Sequence, residues 1–434
     1  MLVSNEDSND KYKGEETFSK KYLRLVKENI GSGITVALVS VPLSTALSIA
    51  SGCTPMMGLS AAIYGPLVAG LIGGSDYNIL GPAGALVNIL SGLVAEDGQK
   101  IIPLVAFVTG IFTAIVWALK LEKFCALISI SVLEGFSLSV AVAIGCGQLN
   151  NAFGLGNLPR HKEFYENLYE TFLNLGSTNF VEFTPFFIFF VILMALAKYL
   201  PGKPWIVLIA FIGVLYGYLM AKFVPSFKPT LLRDKYSEMA NGNISIIDFS
   251  YLKNEIPVSH IIVGAMKVAF VAVLETLISA RIADNLTGTR FDQSKECRGL
   301  AVANLLCGLF GATPCTGVLV RTAVNVSSGA TSMISQFING IVVFIVIFVL
   351  MPAFTYIPMP IIASILITSS CRLFPKKIIA HLFHADKFEC FMLLFTAAMC
   401  IFIDGAIGLL IGGCISLLVN ASQSPLMTVV ITED

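Results

Sequence analysis

Apolar stretches of about one bilayer's helix length recur from Ile34 almost to the C-terminus, separated by short polar or charged connections. An α-helix needs ~20 apolar residues to cross a membrane. The pattern predicts spans near residues 32–50, 57–73, 101–119, 125–149, 181–200, 204–222, 260–281, 298–311, 332–351, 358–371, 387–403 and 405–421. Two shorter stretches, 82–95 and 317–328, follow Gly-Pro-Ala and Thr-Gly breaks and bring the total to 14 elements. The run from Gly311 to Thr331 is too polar for an ordinary span. Thr313-Pro314-Cys315-Thr316 resists helix, and Val318 to Asn325 allows about two helical turns before Ser327-Ser328-Gly329 stops it. A helix therefore starts near mid-membrane, where broken backbone persists only if it lines a cavity or is enclosed by protein. In the first half, Asn78 to Ala85 predicts an extended entry and a helix starting at Pro82, where the missing N–H costs nothing. Interrupted segments at matching places in two halves point to a transporter built from inverted repeats, with its site at the midplane.

Composition supports this. Hydrophobic residues make up 56% of the chain and charged residues 13%, which places it with polytopic membrane proteins rather than soluble domains. Net charge is zero, with no basic cluster interleaved with aromatics, so no nucleic-acid partner is expected. The 10 Cys are scattered, with several such as Cys125, Cys146, Cys307 and Cys400 inside apolar runs and no CxxC pair. His381 and His384 share a basic turn, but two ligands do not make a metal site. No nucleotide, zinc-protease or nucleophile-elbow motif occurs, so no cofactor and no enzyme activity are expected.

The loops set the expected orientation. A polar tail, 1–30, ends in an amphipathic stretch around Tyr22 to Ile30 and carries Lys20, Lys21, Arg24 and Lys27. With that tail inside, later inside loops hold Lys120 and Lys123, Lys198 and Lys203, Arg281, Arg290, Lys295 and Arg298, then Arg372, Lys376, Lys377 and Lys387, in line with the positive-inside rule. Two long loops, about 150–180 and 223–259, fall outside, and the second carries a candidate glycosylation triplet at Asn243. The expected organisation is a cytoplasmic tail 1–30, a first repeat 31–222, an outside loop 223–259, a second repeat 260–421 and a short cytoplasmic tail 422–434.

Ionisable residues inside the membrane are costly and mark function. Arg321 sits one turn into the short second-half helix, where helix N-termini also attract anions; snorkelling to an interface or pairing structurally is the alternative. Glu275 lies mid-span and is read either as a proton-coupling or gating carboxylate or as an acid bonded to a neighbouring helix. Lys267 is two turns earlier, ~12 Å away by helix rise, too far for a direct bond. Glu134 and Asp404, each followed by a glycine, are read as structural.

These residues carry a resemblance. Leu274-Glu275-Thr276-Leu277-Ile278-Ser279-Ala280-Arg281, Glu296 with Asn304 eight residues on, Gly317, and Arg321 followed by Thr322-Ala323-Val324-Asn325 resemble the sulfate permease (SulP) family of anion transporters. Pro42, the Ser51-Gly52-Cys53-Thr54-Pro55 run, Gly81-Pro82-Ala83, Gly135-Phe136 and Gln148-Leu149 agree, so the likeness covers roughly residues 30–420. It implies an all-α membrane protein of two inverted seven-helix repeats, a core domain moving against a gate domain, usually as a homodimer in the lipid bilayer. It further implies an anion site near Pro82, Ala83 and Gly84, near Gly317, Val320 and Arg321, and against Pro42, Leu43 and Leu47 of the first helix. The resemblance also puts Glu275 at the eighth-helix acidic position that some proton-coupled relatives use, and H⁺, Na⁺ or a counter-anion is the expected coupling partner of transport. Leu43 and Leu47 replace polar family residues, and Val320 stands where Ser or Ala is frequent, which favours a less strongly hydrated anion than sulfate. The chain ends at Asp434, so it is expected to lack the family's C-terminal STAS domain. A nucleobase permease of the same architecture and a non-transporting membrane subunit or scaffold remain as alternatives.

Overall fold

A computed structural model describes residues 18–155, 158–159, 161, 164–200, 205–224, 226, 228–236, 257–373 and 387–423. The turn at His381 and His384, Asn243 and the C-terminal tail lie outside them. Fourteen principal helices are present among the described residues. Those of the first half are α1 (Phe18–Ala50), α2 (Pro55–Ile72), α3 (Val87–Asp97), α4 (Ile102–Ala118), α5 (Ile130–Gly147), α6 (Phe180–Tyr199) and α7 (Trp205–Phe223). The second half holds α8 (Val258–Thr287), α9 (Gln293–Leu309), α10 (Leu319–Ser327), α11 (Ile334–Phe354), α12 (Met359–Leu373), α13 (Lys387–Phe402) and α14 (Gly405–Gln423). Among the described residues, eight helices are long and apolar enough to cross a bilayer. The amphipathic stretch expected at Tyr22 to Ile30 and the first span are one continuous helix, α1.

The helices sort into two bodies by packing. α4 lies along α9 and α8, and α11 along α1 and α2, to make the core domain; α5, α12, α13, α14 and α6 pack together as the gate. Lipid is as apolar as these side chains, so association rests on close packing and buried polar contacts rather than on escape from water. The outward faces of α6, α7 and α11 accordingly stay apolar, with Phe187, Val191, Leu215, Phe348 and Val349 exposed. Helix ends are fixed where the sequence supplies caps. The Asn179 side chain accepts from Val181 N at the start of α6, and Asp292 accepts from Lys295 N at the start of α9. That amide bond, with Lys295's side chain and charge, holds the Asp292 carboxyl below the usual range.

Two short strands join the halves at the centre. Leu80–Gly81 (β1) pairs antiparallel with Thr316–Gly317 (β2), Leu80 opposite Gly317 and Gly81 opposite Thr316. Each strand leads into a short helix, α3 or α10, so the two interrupted segments read from the sequence meet at one crossing. One detail differs from expectation: Pro82 does not start its helix. Pro82 and Ala83 prolong the extended entry, and the chain turns first through a 3₁₀ turn at Gly84–Leu86. The cause is tertiary, because β1 is held by the other half of the chain and the Pro82 carbonyl is held by Arg321.

Candidate functional site

The crossing is built by buried polar residues that nothing in local propensity would place together. Asn78 donates to Glu296 Oε1 at 2.7 Å and to Thr276 O at 3.2 Å, while its own oxygen accepts from Thr322 Oγ1 at 3.0 Å. Glu296 also receives the backbone N–H of Gly74 and of Ser75, at 2.8 and 3.0 Å. Asn304 grips Cys315 twice, accepting from its N–H at 2.9 Å and donating to its carbonyl at 3.0 Å. Thr276 Oγ1 takes the N–H of Gly317 at 2.8 Å. Fully satisfied networks of this kind specify one arrangement, and here they hold both strands against α8 and α9. Gly317 is required sterically: a Cβ there would lie 2.8 Å from Thr276 Cα and 2.7 Å from Asn78 Nδ2.

In front of the crossing is a cavity of about 110 Å³ between core and gate. The core supplies Leu43 and Leu47 of α1, Gly84 and Ala85 before α3, Glu275 and Ser279 of α8, and Val318 to Val320. The gate supplies Phe136, Ser137, Val140 and Ile144 of α5, with Leu366 and Ser369 of α12. Neither helix has a side-chain cap at this end, so the first amides of both stay open to a ligand. Ile144 lies over Gly84, whose absent Cβ would sit 2.2 Å from the Ile144 Cδ1. A larger vestibule of about 470 Å³ adjoins along α3 and α5 through Val87, Asn88 and Ala143. It opens at the face bearing the C-terminal ends of α1, α3 and α5, here called the vestibule face; the opposite one is the N face. Lys267 lines it and pairs with Asp404 at 2.9 Å, so the Lys267 expected to stand apart from Glu275 joins core to gate instead.

Of the residues expected to form the site, Leu43, Leu47, Gly84, Val320 and Glu275 line the cavity together. Pro42, Pro82, Ala83 and Gly317 stand behind its wall as backbone that shapes it. Arg321 also stands behind the wall. It is 0% exposed, and its Nη2 donates to Ser44 Oγ at 3.0 Å and Pro82 O at 3.1 Å. Its Nε and Nη1 have no protein partner. The crossing backbone therefore stands between this side chain and the cavity. Glu275 is the carboxylate in electrostatic reach of it, beside the Thr316 hydroxyl. The gate residues Phe136, Ser137 and Ser369 were not anticipated as lining. Serines inside the apolar runs of α5 and α12 were the only signal for two of them.

Comparison with known proteins agrees with this geometry. The chain is 31% identical over 390 residues to the Bacillus subtilis (strain 168) protein named "Putative sulfate transporter YvdB", covering 90% of this chain and 72% of the relative. It is 27% identical to the sodium-independent sulfate anion transporter of Bos taurus, over 91% of this chain and 69% of that one. To the bicarbonate transporter BicA of Picosynechococcus sp. it is 25% identical, over 80% of this chain and 62% of the relative. The chain thus spans three-fifths to under three-quarters of these relatives' lengths. Among solved structures, the transmembrane domain of a cyanobacterium bicarbonate transporter BicA superposes with a TM-score of 0.73 at 18% identity, over 91% of this chain and 97% of that one. SLC26A9 gives 0.79 at 16% identity, over 94% of this chain and 67% of the other. These likenesses carry the fold, the inverted-repeat helical arrangement. The profile of the sulfate permease family matches residues 26–396, and the chain belongs to that family.

Proposed function

We propose that the protein is a secondary transporter or exchanger of small anions that works by alternating access, the core domain shifting against the gate around the cavity. The observation that carries this is the convergence of two uncapped helix N-termini on a cavity shared by both domains, with one buried guanidinium behind its wall. Donors and dipoles of that kind select negative charge. The relatives' names supply the substrate class, sulfate and bicarbonate among them. Leu43, Leu47, Phe136 and Val320 give the cavity an apolar wall, which favours an anion that sheds its hydration readily. A flat nucleobase would require paired side-chain donors and acceptors, and this wall supplies few.

Glu275 is the coupling group in this reading. Its ionised carboxylate opposes an anion in the same cavity, and a proton on it removes that opposition, so anion and proton travel in one direction. Na⁺ or a counter-anion are the other coupling partners. The N- and C-termini are assigned to the cytoplasm from the loop charges, which puts the vestibule face outside, and the protein is assigned as a homodimer from its family. The test is uptake of labelled sulfate, bicarbonate, chloride and oxalate into proteoliposomes with imposed pH, Na⁺ and counter-anion gradients. Saturable uptake of at least one anion is expected; none by folded protein would overturn the reading and favour a scaffold.

A further inference from the structure

Arg321 poses a problem that the anion site does not answer. A guanidinium with two unpaired nitrogens is enclosed behind the cavity wall. Buried charge without partners is strongly disfavoured. On the same side, further polar atoms are both enclosed and unpaired: Ser40 Oγ, Asn325 Oδ1, Gln336 Oε1, and both Oδ1 and Nδ2 of Asn339, on residues at most 1% exposed.

Their placement follows from contacts at either end. Arg321 meets Ser44, and Thr331 and Ser332 meet Asn29 at 2.8 to 3.2 Å, so α10 runs antiparallel to α1. One turn from Arg321 is Asn325, and one turn back from Ser44 is Ser40, which sets both unpaired oxygens at one level, ~6 Å nearer the N face. α11 rises alongside α1, since a Cβ on Gly33 would touch Ile338 and the Ser335 carbonyl. Asn339 and Gln336 then continue on the buried face of α11 toward the N face. Their neighbours fix them there: Gln336 donates to Ser75 O at 2.6 Å, and Asn325 donates to Tyr77 O at 3.0 Å. The result is a ladder of unpaired polar atoms descending ~16 Å, the helix rise from the level of Ser44 to that of Gly33.

We propose that this ladder holds a file of bound water running through the core domain from the N face to Arg321. Water is the ligand that fits, because the ladder offers donors at Arg321, acceptors at Asn325 and Gln336, and groups that do both at Ser40 and Asn339, and water itself both donates and accepts. A metal cation is opposed by the guanidinium at its upper end. The file hydrates Arg321 from behind, so the charge is kept without opening the cavity. It goes beyond the transport reading and does not depend on it.

The direct test is a structure of the full chain in a lipid nanodisc, at a resolution that reveals ordered water. Density bonded to Asn325 Oδ1, Asn339 and Arg321 Nε or Nη1 is expected; these atoms paired directly with each other, or an empty gap, would overturn the proposal. Asn339→Leu tests it independently through the melting temperature. If the amide is water-bonded, the near-isosteric change strands its water and lowers Tm by roughly 2–4 °C. If the amide is dry and unpaired, Leu is neutral or stabilising, and an unchanged or raised Tm would contradict the file. Both readouts are taken without transport, so their failure leaves the proposed function standing.

Discussion

The two half-helices reach the same crossing with different equipment. The entry to α3 is Gly81-Pro82-Ala83-Gly84, without a polar side chain, and it turns through 3₁₀ geometry before the α-helix begins. The entry to α10 passes directly from β2 into α-helix and carries Arg321, Thr322 and Asn325 on its buried face. The repeat thus supplies backbone amides and dipoles twice but permanent charge once. Geometry at this site is a property of both halves, whereas charge is a property of one side chain, and the two can be broken separately.

The largest effect is expected from breaking the geometry on the second side. Gly317→Ala places a Cβ against the Thr276 backbone and the Asn78 amide, neither of which can yield. Overpacking of this kind costs ~1–3 kcal/mol, and a lowered Tm with poor membrane yield is the outcome to look for in thermal unfolding. Next is Gly81→Ala, whose Cβ would lie 2.0 Å from Arg321 Nη1. The guanidinium must shift, and uptake should fall ~10-fold or more if one charge-assisted contact of ~1.5 kcal/mol is lost. On the first side, Gly84→Ala meets side chains alone, the tip of Ile144 and, at 3.3 Å, Val140 Cγ1. It should fold normally and raise KM a few-fold by narrowing the cavity, a split that initial-rate kinetics resolves. The smallest change in rate is expected at Glu275→Gln, which keeps shape and removes the titrating group. Its uptake against pH should flatten while wild-type uptake rises as pH falls, and an unaltered pH profile would exclude Glu275 from coupling.

Much of this was legible in the sequence because broken helices leave marks. The Gly, Pro and Thr residues around Gly317 and Pro82 interrupted the apolar runs at matching places, which pointed to inverted repeats, and the family resemblance supplied the seven-helix arrangement. What stayed hidden depended on contacts between distant parts of the chain. Pro82 reads locally as a helix start, and only β1 pairing with β2 and the Arg321 contact keep it extended. Arg321 reads as a cavity residue because charge is expected to face a ligand. Its direction is set by the face it shares with Thr322 and Asn325, which turns to the core interior while Val318, Leu319 and Val320 meet the cavity. The gate wall comes from α5 and α12, whose lining residues Ser137 and Ser369 are far apart in the chain, and periodicity carries no record of that meeting.

The central claim is that one buried cation behind two shared backbone termini selects the anion. The most direct measurement compares anion uptake by wild-type and Arg321→Ala protein in proteoliposomes, at matched amounts of material shown by thermal unfolding to be folded. A loss of ~30-fold or more in kcat/KM is predicted from ~2–3 kcal/mol of Coulomb attraction across the strand backbone at an effective dielectric constant of about 20. Uptake by folded Arg321→Ala protein at the wild-type rate would contradict the account and leave the helix termini alone to select the substrate.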